Sequence, residues 1–272
     1  MKRGCADKDN FFDVALNGDG GGLENKGTAT LTNVNITANQ ANDRGGAISN
    51  SGTLTMTGGS ITNNVSNDNV ESSGGGAIYT YKGSNTTLTG VTITGNQAKI
   101  AGGGAINSLG TVTLDGCTIT GNSSKNGGAI WTVGGSALNM QGKNTITDNT
   151  VNGNTNNVYL NNGVVITVTG SLEGSKIGVH MQTPGTFTSG FGANNEKAPL
   201  AYFFSDNSGY TIAASDNEAK LVKSMETGID GVEQSAFDGQ HDSWYDLKGH
   251  KLYGKPTTKG IYINNGKKVV IK

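Results

Sequence analysis

Short runs in which apolar residues alternate with threonine recur along most of the chain. In the run Val91-Thr92-Ile93-Thr94, the two apolar residues share one face and the two threonines share the other. An alternation with a period of two is typical of β-strands that bury one face, whereas an amphipathic helix repeats its apolar residues at i, i+3 and i+4. The pattern therefore predicts an almost entirely β protein.

Two short signatures accompany the alternation and repeat with it. The sequence Gly-Gly-Ala-Ile occurs at Gly45–Ile48, Gly75–Ile78, Gly103–Ile106 and Gly127–Ile130. The sequence Ile-Thr-x-Asn occurs at Ile36–Asn39, Ile61–Asn64, Ile93–Asn96, Ile119–Asn122 and Ile146–Asn149. The spacing between copies varies while the signatures stay constant, which indicates repeated coils with fixed strands and loops of free length.

One such coil cannot bury its apolar edge alone. Coils stacked about 4.8 Å apart place each isoleucine above its counterpart and build a continuous core. About three short strands are expected in each coil, beginning at Ala-Ile, at the Thr-rich run and at Ile-Thr-x-Asn. The predicted fold class is all-β: a right-handed parallel β-helix (a pectin-lyase-like solenoid) with a small C-terminal β segment.

The asparagine of the second signature returns at the same turn of every coil. An amide side chain both donates and accepts, so a stacked column of them can bond the turn backbone and the neighbouring amides. The alternative is that Asn merely tolerates a left-handed turn. The predicted structural ladder consists of Asn39, Asn64, Asn96, Asn122 and Asn149.

The pattern also divides the chain. Most of the aromatic residues follow Asn157, residues 225–242 are poor in apolar residues, and Asn265-Gly266 between two alternating runs predicts a hairpin. The predicted organisation is an N-terminal segment or fragment start at 1–17, β-helix repeats at 18–180, a last irregular coil and cap at 181–223, a linker at 224–243 and a β-hairpin at 244–272.

Net charge, apolar content and cysteine positions limit the partners and the cellular compartment that can be expected. The net charge of −1 gives no general attraction to nucleic acid or to an anionic membrane. No window of about 18 apolar residues predicts a membrane-spanning segment. Cys5 and Cys117 have no metal-ligand or disulfide-framework spacing, and Cys117 is expected to be a buried apolar filler. The N-terminus lacks an apolar signal segment, so we expect a fragment that begins downstream of an export signal.

With these motifs, the chain resembles the repeat family of the chlamydial polymorphic outer-membrane proteins. In that family, Gly-Gly-Ala followed by Ile, Leu or Val is paired with Phe-x-x-Asn. Here the first half matches and Ile replaces Phe in the second, over roughly residues 18–180. The resemblance implies a β-helix that is displayed on the surface of a Gram-negative bacterium and used in adhesion.

The end of the chain resembles the C-terminal sorting domain of the type IX secretion system. Tyr245–Gly249 and Lys259–Val269 carry the likeness, with His250 in place of the usual Arg. The resemblance implies export across the outer membrane by that secretion machinery, followed by surface attachment. A basic tail for anionic partners is the alternative, because seven lysines lie between residues 248 and 272.

No constellation for catalysis stands out in the sequence. A hydrolase needs two or three carboxylates near one bond, and a lyase needs a base with groups that stabilise negative charge. The charged residues of the coils fall at different phases, with no Asp–Asp pair and no Arg with nearby carboxylates, and His180 stands alone. They are Asp43, Arg44, Asp68, Glu71, Asp115, Lys125, Lys143 and Asp148. We therefore expect no enzyme activity, no catalytic residue, no metal and no cofactor.

A calcium loop is hinted at by Asn17-Gly18-Asp19-Gly20-Gly21-Gly22. It is a single copy without a closing Glu, so a Gly-rich turn that enters the first coil is the favoured interpretation.

The third strands carry the candidate binding face. Two threonines per coil point outward there and present hydroxyl and methyl groups that suit a glycan or the ordered water of ice, although Thr is also an ordinary exposed strand residue. These threonines are Thr92, Thr94, Thr118, Thr120, Thr145 and Thr147.

The predicted function is that of a secreted or cell-surface, adhesin-like, non-catalytic β-helix. It would contact glycans or host and cell-surface proteins through its side or through loops such as residues 66–73. A polysaccharide-active lyase or hydrolase and an ice-binding protein are the alternatives.

Overall fold

The computed structural model describes residues 14–15, 18–68, 74–100, 102–224, 244–252, 254–264 and 267–271. The chain divides into two compact units, Met1–Ser224 and Met225–Lys272. Most of the predicted N-terminal segment (1–17), of the predicted linker (224–243) and of the loop 66–73 beyond Asp68 lies outside the described residues, as does the predicted Asn265-Gly266 turn.

The first unit is a parallel β-helix whose strands stack in columns. The first strand of each coil begins at Ala-Ile or its equivalent, and these strands are Leu23–Asn25, Ile48–Asn50, Ile78–Thr80, Ile106–Ser108, Ile130–Thr132 and Val158–Leu160. The second strands are the Thr-rich runs Thr28–Thr32, Thr53–Thr57, Asn85–Thr89, Thr111–Asp115, Ala137–Gln141, Ile166–Val168 and Thr188–Ser189. The third strands are Asn35–Thr37, Ser60–Thr62, Thr92–Thr94, Thr118–Thr120 and Thr145–Thr147.

A fourth strand of two residues follows the signature asparagine, where the sequence predicted none. These strands are Val14–Ala15, Gln40–Ala41, Val65–Ser66, Gln97–Ala98, Ser123–Ser124 and Thr150–Val151, and Asn154–Thr155 closes the column antiparallel to the last. Two residues are too few to show an alternation, so the pattern that revealed the longer strands is absent here. The repeat coils therefore have four strand positions, one more than the three that the sequence predicted.

The register confirms the predicted fold class. Ile78 pairs with Ile48 on one side and with Ile106 on the other, while Ile93 pairs with Ile61 and Ile119. All six side chains are fully buried in one continuous core. Each isoleucine thus rests on its counterpart in the next coil, as the repeat predicts.

The Gly-Gly corner is held by backbone contact between coils. A Cβ atom added to Gly76 would lie 2.2 Å from the carbonyl oxygen of Gly104, and one added to Gly46 would lie 2.2 Å from that of Gly76. The preceding Gly75 has a φ of 92°, which favours glycine for a second reason. This corner accounts for the invariable glycines before Ala-Ile in the repeat.

The coils end in a less regular segment. Lys176–Met181 pairs at its start with the third strand Thr145–Thr147 and farther along with the first strand Val158–Leu160, so it joins the two columns into one sheet. Beyond it come the helix Phe191–Asn194, the 3-10 turn Pro199–Ala201, the strand Phe203–Ser205 and the antiparallel pair Tyr210–Ser215 and Glu218–Lys223. Phe187, Phe191 and Phe203 pack their rings together in the core at this end.

The second unit contains a small antiparallel sheet. Its strands, in spatial order, are Lys251–Leu252, Trp244–Tyr245, Gly260–Asn264 and Lys267–Ile271. Gly260–Asn264 and Lys267–Ile271 pair along their full length. The predicted C-terminal β segment is thus a sheet of four described strands.

Candidate functional site

The six threonines of the candidate binding face stand in register. Thr92 pairs with Thr118 and Thr118 with Thr145, while Thr94 pairs with Thr120 and Thr120 with Thr147. Thr92 and Thr118 are exposed, and Thr94, Thr120 and Thr145 are half-buried. The structure therefore brings the predicted face together over two coils. In the third coil only Thr145 remains partly exposed.

Thr147 departs from the flat exposed array. Its side chain is buried, and its hydroxyl donates a hydrogen bond to Oδ2 of Asp148 at 2.7 Å. Asp148 has a φ of 60°, as Gly95 and Gly121 have 67° and 65° at the same turn of the two preceding coils. Because Thr147 is buried, the open part of the face ends near Thr145.

The five signature asparagines form a buried column joined by hydrogen bonds. In Asn96, the side-chain Nδ2 and the backbone N–H both donate to Oδ1 of Asn122 at 2.9 Å. The Nδ2 of Asn96 also reaches the carbonyl oxygens of Ile61 and Thr94. The same donation to the next coil links Asn39 to Asn64, Asn64 to Asn96, and Asn122 to Asn149. Every amide in this column, the Asn ladder, points in the same direction.

The Asn ladder continues past the repeats to a carboxylate that the sequence analysis missed. Asn149 donates to Oδ1 of Asn157, and Asn157 donates to both oxygens of Asp206. A Cβ atom on Gly178 would lie 2.3 Å from both Asn157 Nδ2 and Asp206 Oδ1, so glycine makes room for this contact. Burial raises the pKa of Asp206 to about 6, against the opposing effect of the two Asn157 donors.

A cluster of charged and aromatic residues corrects the expectation that no arginine lies near paired carboxylates. Nε of Arg44 lies 3.9 Å from Asp43 Oδ1 and 3.9 Å from Asp68 Oδ2, and the carboxyls of Asp43 and Asp68 are hydrogen-bonded to each other. Nη1 of Arg44 donates to the Tyr81 hydroxyl at 2.9 Å, and that hydroxyl donates to Asp19.

The sequence contained a signal for this cluster in the number of residues between its members. Comparing positions within each repeat did not reveal it. Asp43 and Asp68 are separated by 25 residues, as are Asp19 and Arg44. That separation equals the step from Leu23 to Ile48, which pair in register as first strands of adjacent coils. Aligning the loops on the coil length would have placed these charges side by side.

Burial and neighbouring charges raise the pKa values of three acidic groups in the cluster. Burial, together with the hydrogen bond and negative charge of Asp68, raises the pKa of Asp43 to about 6. Burial raises the pKa of Tyr79 to about 12, and the Arg44 guanidinium stands 5.4 Å from its ring centre. Burial and then the Asp19 hydrogen bond raise the pKa of Tyr81. The patch therefore places a carboxyl with a raised pKa beside a second carboxyl and a guanidinium.

Two other sequence candidates have structural partners. Asp19 from the hinted calcium loop accepts the backbone N–H of Arg44 as well as the Tyr81 hydroxyl, and Asn17 lies outside the described residues. His180 is stacked on Tyr159 with ring centres 5.3 Å apart, and burial lowers the pKa of its imidazole. Within the described ranges, no three His, Cys, Asp or Glu side chains are arranged to hold a metal ion.

The stacked columns, the isoleucine core and the Asn ladder define a parallel β-solenoid. A family model described as a right-handed beta helix region matches residues 14–196, which is more than half of the 272-residue chain. The protein therefore belongs to the right-handed β-helix family, and the predicted handedness is confirmed.

Comparisons with curated proteins and with solved structures identified no similar protein. Over the part of the chain that the structure describes, none of the helices has the length and hydropathy to cross a bilayer.

Proposed function

We propose that the protein is a secreted or cell-surface, adhesin-like β-helix that contacts glycans without catalysis through its threonine face. The observation that carries this proposal is the in-register pair of exposed threonines, Thr92 and Thr118, flanked by half-buried Thr94, Thr120 and Thr145. Because Thr147 is buried, the open array is short, which suits a few sugar units better than an extended ice plane.

The chemistry of this face favours a polyhydroxyl ligand. Threonines at i and i+2 lie about 6.7 Å apart along a strand, and adjacent coils lie about 4.8 Å apart. Each threonine offers one hydroxyl donor, acceptor lone pairs and a methyl group, so the face alternates polar and apolar contacts. A rigid, preorganised array of this kind binds at little cost in conformational entropy.

The test replaces hydroxyls and keeps the shape of the side chains. The double variant Thr92→Val/Thr118→Val should lose binding to oligosaccharides on a glycan array, while folding is preserved because Val suits an exposed strand. The matched control is Thr55→Val/Thr87→Val, which alters two paired, half-buried threonines in the second-strand column. Equal glycan binding by wild type and Thr92→Val/Thr118→Val would contradict the proposal.

Surface location is the second part of this proposal. The Gly-Gly-Ala-Ile repeat resembles the polymorphic outer-membrane proteins, and the end of the chain resembles a type IX sorting domain. Those resemblances support export through the outer-membrane secretion machinery. Attaching residues 244–272 to a periplasmic reporter in a bacterium with that system should bring the reporter to the cell surface. A reporter that stays periplasmic, while one with an authentic sorting domain is exported, would count against this part.

A polysaccharide-active enzyme is a second candidate, and the Asp43–Asp68–Arg44 contact favours it specifically. A carboxyl whose pKa is about 6 can act as a general acid near neutral pH, and a neighbouring arginine can stabilise developing negative charge. Incubation with a panel of plant and bacterial polysaccharides should then release reducing ends or unsaturated products. Asp43→Asn should abolish this release, and Asp115→Asn, which changes a carboxylate on a second strand, should not.

A further inference from the structure

A second candidate site lies where the coils meet the irregular C-terminal segment of the first unit. An open cleft with a volume of about 330 Å³ is lined by side chains including Asn152, Asn154, Asn156, His180, Asp206 and Ser208. That volume is at the lower end of the range for small-molecule sites. The lining consists mainly of amides, hydroxyls, one imidazole and one carboxylate.

One buried acceptor in this cleft has no partner. Asn156 is 7% exposed, and its Oδ1 makes no hydrogen bond to any described residue. A buried polar atom left unsatisfied costs about 1–3 kcal/mol, and a bound ligand that donates a hydrogen bond would remove this cost. Asn156 lines the cleft, so a turn of its side chain would bring this covered acceptor to a ligand donor.

The negative charge of Asp206 makes the cleft unfavourable for anionic ligands. Asp206 supplies a negative charge near neutral pH, and His180 is neutral because burial lowers the pKa of its imidazole. No cationic side chain is among the residues that line the cleft. A phosphate or carboxylate ligand would meet repulsion here, whereas a neutral hydroxylated ligand would meet acceptors for its donors.

An aromatic row extends from the cleft along the outside of the coils. Trp131 pairs with Tyr159, and Tyr159 pairs with His180, in strands of successive coils, and each of the three is half-buried. The ring centres of Tyr159 and His180 are 5.3 Å apart with planes at 15°, and those of Trp131 and Tyr159 are 6.1 Å apart. The row offers partly exposed aromatic surface next to polar groups, which suits ligands that have both C–H and hydroxyl faces.

We propose that this cleft and row bind a neutral saccharide, with one sugar residue in the cleft and the next against the aromatic rings. Sugar hydroxyls donate to Asn156 Oδ1 and to Asp206, and the C–H face of a pyranose lies along the outward edges of the Tyr159 and His180 rings, whose faces are stacked on each other. The inference rests on the proposed glycan-binding function, but it assigns that binding to a surface distinct from the threonine face.

The experiment measures saccharide binding by the full chain with calorimetry. The probes are maltohexaose, cellohexaose, mannohexaose and hexa-N-acetylchitohexaose, with inorganic phosphate as the anionic control. Tyr159→Leu and Asn156→Ala should each weaken binding of the preferred hexasaccharide about tenfold or more, equivalent to about 1.4 kcal/mol. Tyr159→Phe keeps the ring and should bind like wild type, as should Tyr245→Leu in the second unit.

The outcomes separate the two surfaces. Loss of binding in Tyr159→Leu and Asn156→Ala, with binding retained in Thr92→Val/Thr118→Val, supports the cleft and contradicts the threonine face as the glycan site. Loss in the threonine variant alone overturns the cleft and leaves the threonine face standing. Absence of binding of all four hexasaccharides to folded wild type at millimolar concentration overturns the cleft proposal, as does equal binding of phosphate.

Discussion

Nδ2 of Asn157 lies 2.6 Å from Oδ1 of Asp206, and the backbone nitrogen of Asn157 lies 2.6 Å from Oδ2 of the same carboxylate. This pair ends the Asn ladder, in which each amide donates toward the C-terminal coils. An acceptor-only group is a suitable end for such a chain, because the last amide still has donors to satisfy. The buried polar column is therefore satisfied at the end of the repeats as well as within them.

An asparagine in the middle of the Asn ladder should be essential to stability. Asn122→Ala removes the acceptor for two Asn96 donors and the donor for the carbonyl of Ile93. Because these groups are buried, we expect a loss of about 2–4 kcal/mol in the free energy of unfolding. Urea unfolding followed by circular dichroism measures it. Asn139→Ala is the control, since Asn139 is half-buried and reaches Thr113 at 3.3 Å; equal losses would contradict the role of the ladder.

The stability of the fold should depend on pH through Asp206. Its pKa is raised in the folded state from 3.8 to about 6, so the folded protein binds a proton that the unfolded chain has released in this window. This contribution to stability is fully present below a pH of about 4 and is lost as pH rises through about 6, by up to roughly 3 kcal/mol.

The Asp206→Asn variant isolates this effect from other carboxyls, such as Asp43, that titrate in the same window. The unfolding free energy of wild type relative to Asp206→Asn should fall between pH about 4 and pH about 7, measured by urea unfolding at several pH values. A constant difference across that range would show that Asp206 is not responsible.

The corner glycine should not tolerate a side chain. Gly76→Ala would place Cβ 2.2 Å from the Gly104 carbonyl oxygen and 2.5 Å from the carbonyl carbon of Gln97, and backbone cannot move away as a side chain can. We expect a loss of more than about 4 kcal/mol or a failure to fold. Gly134→Ala, which meets no atom within 4 Å, should change the melting temperature little. Similar melting temperatures for the two variants would refute the corner model.

The thiol of Cys117 should be inert in the native protein. Its side chain is fully buried, and burial raises the pKa of the thiol, so little reactive thiolate forms. In a Cys5→Ser background, a disulfide reagent should label Cys117 only after addition of denaturant. Labelling of the folded protein at the rate of a free thiol would mean that this part of the core opens readily.

Features that recur at a fixed phase could be predicted from the sequence. The isoleucine columns and the signature asparagines repeat with one local pattern, so each copy reinforced the interpretation of the others. Thr147 carries the same pattern as Thr94 and Thr120, yet it is buried and donates to Asp148, which stands where the other two coils have Gly95 and Gly121. The Ile-Thr-x-Asn signature leaves this position open, so the signature alone did not predict the difference.

Features made by unlike residues were missed for a different reason. Asp206 belongs to the segment after the repeats and reaches Asn157 across 49 residues, with no periodicity to connect them. The Asp43–Arg44–Asp68 cluster comes from loops whose residues differ in every coil. The strands are constrained by stacking, whereas the loops between them can vary. The charged residues of this cluster therefore lie in the loops, where the repeat pattern does not predict them.

The Gly-Gly corner also bears on how such a chain can change in length. Gly46 contacts Gly76, Gly76 contacts Gly104, and Gly104 contacts Gly128 through the same backbone approach. Any one of these corners would fit equally well against another. Duplication or excision of one whole turn therefore preserves every neighbour relationship on either side, whereas a shift of a single residue inside a strand would turn its isoleucine out of the core. The turn, rather than the residue, is the step by which this solenoid can be lengthened or shortened.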